Sequence, residues 1–393
     1  MTTLSSIRIA FEARERSFMS PHGCLSSASR GRLKPERDSL IRTAFQRDRD
    51  RIMYSNAFRR LKHKTQVFFS PDNDHVCTRM EHTLHVGTIA SAICRSFGLD
   101  VDLAQAIGLG HDLGHAPFGH RGEEVLKDLL REHGGFHHEL YALRVVDKLA
   151  NNGQGLNLTY GVRDGIVCHC GEKYEREIAP RAEAVDLATI ERLGIYPCSY
   201  EGCIVRMADK VSYLGRDIED AYRAGLIREE QIPEKVKRSL GRKNGEIIDT
   251  LVNDIIAETG KAGRVSFSEE NIELMRQLYD FNMSNIYRSQ PLVEYGEFCE
   301  KILRSLFAEL GELHARNGAD YDRYDHDPVP LFRRFGRHLR KLAHIYQSER
   351  TPVAVMVGDY IAGMSDDYAL KCMHEVFIPE PLEFDLPRGA SDD

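Results

Sequence analysis

No run of apolar residues in the chain approaches the roughly 18 needed to cross a bilayer. The opening stretch, MTTLSSIRIAFEARER, lacks the apolar centre of a secretory signal. Both absences point to a cytoplasmic protein with no membrane partner. Cys-x-x-Cys pairs are missing too. The nine cysteines are odd in number and scattered, as expected of thiols kept reduced. Cys168-His169-Cys170 comes nearest to a thiolate zinc site, but a four-ligand site needs a second pair. We therefore read it as a buried segment carrying small apolar thiols. Internal repeats are absent, and segments with strand-like alternation are few. The net charge of −7 argues against a general nucleic-acid binder.

Helical periodicity dominates what remains. The 393 residues, 42% hydrophobic and 29% charged, suffice for a sizeable core, and the expected class is mostly α, a helical bundle. Residues 1–38 read as irregular, punctuated by Pro21, Gly23, Gly31 and Pro35. Residues 39–225 read as a core of helices at Ser39–Gln66, Glu81–Phe97, Asp102–His111, Gly122–His133, His138–Asn151 and Tyr200–Ala224, with Val67–Phe69 as one arm of a short hairpin. A C-terminal helical region over 226–377 packs on this core, with helices at 228–262, 268–317 and 329–348. From Ile378 onward the chain is Pro-rich and acidic, which predicts an extended or disordered tail through 378–393. Residues 30–64 hold twelve Arg or Lys against four Asp or Glu, a block that needs an anionic partner or acidic neighbours.

Ten of the seventeen histidines fall between His75 and His169. At their centre, His111 and Asp112 are adjacent at the end of an apolar helix. Buried polar groups need partners, and a divalent cation supplies one to both imidazole and carboxylate. Gly114 and Pro117 break the helix directly afterwards and turn His115, His120 and Glu123 back toward the pair. Upstream, His82 and His85 lie three apart on one helix. Downstream, Asp209, Tyr213 and Asp217 recur every fourth residue and form one polar stripe in an otherwise apolar helix.

The order of His82, His111-Asp112 and Asp209 resembles the signature of the HD metal-dependent phosphohydrolases. Further segments resemble the deoxyguanosine triphosphate triphosphohydrolase branch: Asp48–Ile52, Ala57–Leu61, Lys64–Phe68, Thr78–His82, His111–His120, Gly155–Thr159 and Asp209–Asp220. They cover roughly residues 36–225, in the branch's order. The resemblance implies an HD core whose metal site falls within 75–215, with His82, His111, Asp112 and Asp209 as ligands of a divalent ion (Mn, Mg or Fe). It implies His120 and Glu123 as the catalytic histidine and acid. His115 and His138 fall where related enzymes place phosphate-contacting or proton-relaying histidines. Gln66 resembles a contact to the deoxyribose hydroxyl. Asp217 and Tyr213 resemble its sugar partners, and the Tyr213 ring would exclude a 2′-hydroxyl. Arg79 and Lys210 resemble phosphate contacts, and Tyr287 resembles a residue flanking the base. One departure is His137-His138-Glu139, where many members carry Asn and Gln; it leaves the relay histidine open between His137 and His138.

The implied reaction is metal-dependent hydrolysis of a deoxynucleoside triphosphate (dGTP or a wider set) to deoxynucleoside and tripolyphosphate, by attack at the α-phosphorus. The family further implies a homo-oligomer, often a hexamer, with a nucleotide or single-stranded DNA as effector. Candidate contact surfaces are Arg30–Lys64 and the basic amphipathic segment Leu331–Lys341. The alternatives are another HD nucleotide phosphohydrolase, such as a nucleotidase or phosphodiesterase, and a nucleic-acid-binding regulator that kept the fold. His85, His133 and His169 read as structural.

Overall fold

The computed structural model describes residues 4–68, 76–170, 174–190 and 194–378. It is built almost wholly of helices. The chain opens with α1 (Leu4–Phe18) and reaches the basic stretch as α2 (Ala44–Tyr54) and α3 (Asn56–Arg60). Next come α4 (Arg79–Ser96) and α5 (Val101–Gly110), then α6 (Gly119–Leu129) and α7 (His138–Arg144). A one-turn segment, α8 (Ala150–Gly153), leads to α9 (Tyr160–Val167) and the long α10 (Tyr200–Arg223). The rest is α11 (Glu234–Ser239), α12 (Asn244–Ala262), α13 (Glu269–Asn282), α14 (Gln290–Asn317), α15 (Tyr321–Asp325), α16 (Pro330–Glu349), α17 (Val353–Ala362) and α18 (Asp366–Phe377).

Local sequence explains where the central helices start. Thr78 and Glu81 form a capping box that begins α4, and Asp100 caps α5 through the Leu103 amide. Ser199 caps α10 through the Gly202 amide. Each cap supplies an acceptor to an amide that the helix cannot itself satisfy. The core then forms where α4, α5, α9 and α10 meet, with Ile93, Leu103, Ile107, Ile166, Ile204 and Val211 all fully buried. Gly108 permits the close crossing of α4 and α5, because a Cβ there would lie 2.8 Å from the Gly87 Cα. Gly114 does the same for α7: a Cβ would overlap the His138 carbonyl oxygen. That approach sets the start of α7 against the turn carrying His111 and Asp112.

The C-terminal helices are tied to this core by buried polar contacts. Arg144 on α7 reaches Asp359 on α17 at 2.8 Å. Lys64 donates to the Ala362 carbonyl at 2.8 Å and to that of His115. Asp366 accepts from the amides of Thr65 at 3.0 Å and Phe118 at 2.9 Å.

Several expectations are corrected. Residues 1–38 are not irregular throughout: Leu4–Phe18 is helical, because the punctuating Pro21, Gly23, Gly31 and Pro35 all follow it. Ser39–Gln66 is not one helix. Ser55 ends α2 and caps α3 through the Phe58 amide. His138–Asn151 does not run straight either; α7 passes into a π-helical turn at Val145–Leu149, and Asn151 and Asn152 are left-handed. Near the hairpin arm expected at Val67–Phe69, the described residues show an antiparallel bridge between Thr65 and Thr78. Phe69 itself lies outside the described residues, as does the expected tail from 379 onward. A two-residue ribbon pairs β1 (Glu177–Ile178) with β2 (Val265–Ser266), where no strand was expected. Among the described residues, no helix is long and apolar enough to cross a membrane.

Candidate active site

Three elements carry the central cluster. The first turn of α4 presents His82, the 3-10 turn His111–Gly114 presents His111 and Asp112, and the middle of α10 presents Asp209. Their polar atoms converge. His82 Nε2 stands 2.9 Å from Asp209 Oδ1 and 3.9 Å from Asp112 Oδ2, and His111 Nε2 stands 3.3 Å from Asp112 Oδ1 and 3.7 Å from Asp209 Oδ1.

The donor set fits a divalent cation. His111 Nδ1 lies 2.7 Å from the Gly108 carbonyl, which fixes its proton there. Its Nε2 is fully buried without a hydrogen-bond partner and faces two carboxylates. A cation between these four side chains would satisfy it with ordinary imidazole and carboxylate ligands. The carboxylates are kept in the ligand state. Burial alone would raise Asp112, but His111, His115 and Arg79 together hold it well below the usual carboxylate range. Burial likewise opposes the ionised form of Asp209, and the hydrogen bond and charge of His82 outweigh it.

A second tier lies beside the cluster. His115 Nε2 is 3.0 Å from Asp112 Oδ1, and its ring stacks on His138 at 3.9 Å between centroids. His138 Nδ1 lies 3.0 Å from a Glu123 carboxylate oxygen, and its backbone amide donates to the other at 3.0 Å. The pair polarises itself. Burial opposes charge on His138, yet Glu123 and Glu139 raise it well above its ordinary value. Glu123 is lowered in return by His138 against its own burial. His115, by contrast, is driven well down by burial and then by the charges of Arg79 and His138, so it is neutral. His120 is exposed, its ring centroid 6.2 Å from that of His115. Between the two candidate relay histidines, it is His138 that meets His115 and Glu123. His137 instead precedes α7 as its cap residue, close to Glu123 and Glu139.

The stripe on α10 leads away from the cluster. Tyr213 shares a 2.6 Å hydrogen bond with Tyr174, and Asp217 is buried and accepts from the Tyr287 hydroxyl. Burial raises Asp217 to about 7. Gln66 holds its Oε1 buried without a partner. The two cations expected at phosphates are both engaged. Arg79 Nη1 donates to Asp112 at 2.9 Å, while its Nε and Nη2 are buried without partners. Lys210 pairs with Glu175 at 2.7 Å, and Glu175 also holds Arg206 at 2.7 Å.

His169 belongs with these groups although it read as structural. It is buried with its Nε2 3.3 Å from that of His138 and its ring 4.8 Å from that of His111. Burial first, and then the nearness of His111 and His138, lowers it to about 4. Its signal in the sequence was the one that flagged His111: a polar ring at the end of an apolar helix. Tyr174 and Glu175 carried no such signal.

This arrangement on a helical core defines the chain as an HD-domain protein, and the family model for the HD domain matches residues 79–214. Its relatives narrow the class. The chain is 41% identical, over 95% of its length and 97% of the relative's, to a deoxyguanosinetriphosphate triphosphohydrolase-like protein of Caldanaerobacter subterraneus subsp. tengcongensis. It is 41% identical to a protein of the same name from Desulfatibacillum aliphaticivorans, over 96% of this chain and 99% of the other. A third, from Clostridium tetani, is 37% identical over 95% of this chain and 97% of its own length. The chain belongs to the deoxyguanosinetriphosphate triphosphohydrolase-like family.

Proposed function

We propose that the protein hydrolyses deoxynucleoside triphosphates, dGTP among them, to deoxynucleoside and tripolyphosphate. The observation that carries this reading is one helix. Within α10, Asp209 stands in the four-residue cluster, and Tyr213 and Asp217 follow one and two turns along the same face, at a rise of about 5.4 Å per turn. A triphosphate held at the cluster would lay its sugar along that stripe.

In this reading His82, His111, Asp112 and Asp209 hold a divalent ion, Mn, Mg or Fe. Once bound, the ion polarises the α-phosphate and lowers the pKa of water. Arg79 orients Asp112 through Nη1 and offers Nε and Nη2 to phosphate oxygens. Lys210 lies beside them, held by Glu175. Water attacks the α-phosphorus and the bond to the 5′ oxygen breaks. The water gives up a proton and the departing 5′ oxygen gains one. His138, kept protonated by Glu123, is suited to that donation, and His120, lowered by desolvation and then by the charge of Arg79, is suited to take the proton from water. Neutral His115 sits between His138 and Asp112 and orients both. Asp217 and Gln66 take the sugar hydroxyl, the Tyr213 ring crowds the 2′ position, and Tyr287 positions Asp217 and flanks the base.

We assign the protein to the cytoplasm and expect it to assemble. Leu40, Ile41, Met53 and Tyr54 are exposed within the basic stretch, an apolar surface suited to contact between copies. A substrate panel tests the function: each dNTP, NTP and dNMP, with Mn²⁺, Mg²⁺ or a chelator. Turnover of dNTPs alone, abolished by the chelator, supports it. Equal turnover of monophosphates points to a nucleotidase.

A further inference from the structure

A wall that yields refuses an added hydroxyl poorly, so selection against ribose depends on how firmly the Tyr213 ring is held. That ring stands on α10, half-buried, and its hydroxyl has one hydrogen-bond partner among the described residues, the Tyr174 hydroxyl at 2.6 Å. Tyr174 is therefore the polar anchor of the ring's far end.

Tyr174 is itself fixed from several sides. Its ring packs on Tyr279 of α13, with 5.0 Å between centroids, and the Lys210 ammonium lies over it at 5.6 Å from the ring centre. Its carbonyl accepts from Arg276 at 3.0 Å. Glu175, next in the chain, bridges Arg206 and Lys210, each at 2.7 Å. Arg206 is buried and also donates to the Cys168 carbonyl at 2.9 Å, so one guanidinium holds both Cys168 and Glu175. Just beyond, the Arg176 carbonyl accepts from the Phe267 amide at 2.8 Å, and β1 pairs with β2. Tyr174 thus reaches Tyr213 from a segment anchored to α10, α13 and the ribbon.

Neighbouring residues of this segment serve neighbouring points on α10. Tyr174 holds Tyr213, and Glu175 holds Lys210 three residues before it, on the same helix face. We propose that Tyr174 is a positioning residue for sugar selection: it acts through Tyr213, holding that ring where a 2′-hydroxyl would otherwise fit. This role rests on the sugar lying along α10, as proposed above. A selective site needs side chains locked by packing and by hydrogen bonds of their own, and Tyr174 supplies the lock on Tyr213. Glu175 serves the other end of the nucleotide, because Lys210 faces phosphates that dGTP and GTP share.

Steady-state kinetics of the full-length protein with dGTP and GTP in Mn²⁺ tests the role. Tyr174→Phe keeps the ring and its packing on Tyr279 and deletes only the bond. It should raise the ratio of kcat/KM for GTP to that for dGTP by about ten-fold, the equivalent of one ordinary hydrogen bond. The change should appear mainly as a lower KM for GTP, with a smaller loss on dGTP. Tyr213→Phe should raise the ratio by a similar factor. The double variant should go no further, because both changes delete the same bond. Glu175→Gln should weaken both nucleotides alike and leave the ratio unchanged. An unchanged ratio in Tyr174→Phe, an equal loss on both nucleotides in that variant, or effects that multiply in the double variant would each overturn the role. Discrimination that Tyr213→Ala relaxes and Tyr174→Phe does not removes this role and leaves the sugar wall standing. Equal use of GTP and dGTP by the wild type removes both.

Discussion

The Tyr287 hydroxyl donates to the Asp217 carboxylate, joining residues 70 apart in the chain. Burial raises this acid to about 7 even against the lowering effect of that bond. A folded-state pKa above the unfolded one means that folding takes up a proton. The associated stability is fully present below about pH 4 and is lost as pH rises through 7. In chelator-treated protein, Asp217→Asn should therefore gain melting temperature relative to wild type as pH rises from about 5 to about 8. A difference that does not change with pH contradicts this account of Asp217.

Asp112 serves two partners at once, the histidines of the cluster and Arg79. Asp112→Ala should therefore lose bound metal and turnover, and should also be destabilised by about 3–5 kcal/mol, because Arg79 is left buried and unpaired. His111→Gln should lose metal and turnover at a smaller cost in stability. Elemental analysis with thermal melts distinguishes them; metal retained in either variant would mean that the cluster is not the metal site.

Sugar selection should separate along α10. Asp217→Ala removes an acceptor and should lower kcat/KM for dGTP by about ten- to a thousand-fold. Tyr213→Ala opens space and should raise the GTP to dGTP ratio with a smaller loss on dGTP. The check is kcat/KM for both nucleotides in wild type and both variants. Unchanged discrimination in Tyr213→Ala rules out the steric role.

Asp366 should couple the C-terminal helices to turnover. Asp366→Ala leaves the buried amides of Thr65 and Phe118 without their acceptor, at about 1–3 kcal/mol. It should lower kcat, with faster hydrogen exchange across 112–122. Normal kcat in a folded Asp366→Ala protein would show that these helices only add stability.

The cluster was legible because its residues have to be of these types. An adjacent His and Asp ending an apolar helix, a His on the preceding helix and an Asp inside an apolar helix have few other uses, and their order marks the family. The stripe at Asp209, Tyr213 and Asp217 followed from helical spacing. What could not be read were contacts decided by packing between distant segments: Glu123 on His138, His169 between His138 and His111, and Asp366 on Thr65, 301 residues away. Helix α1 was missed because the turn residues that follow it coloured the reading of the whole N-terminal stretch.

Attack at the α-phosphorus is the central claim, and isotope-labelled water tests it directly. Wild-type protein with metal and dGTP in ¹⁸O water, followed by ion chromatography and mass spectrometry, should yield unlabelled deoxyguanosine and intact tripolyphosphate carrying the label. Orthophosphate or pyrophosphate as the first product, or label in the deoxyguanosine, would contradict it.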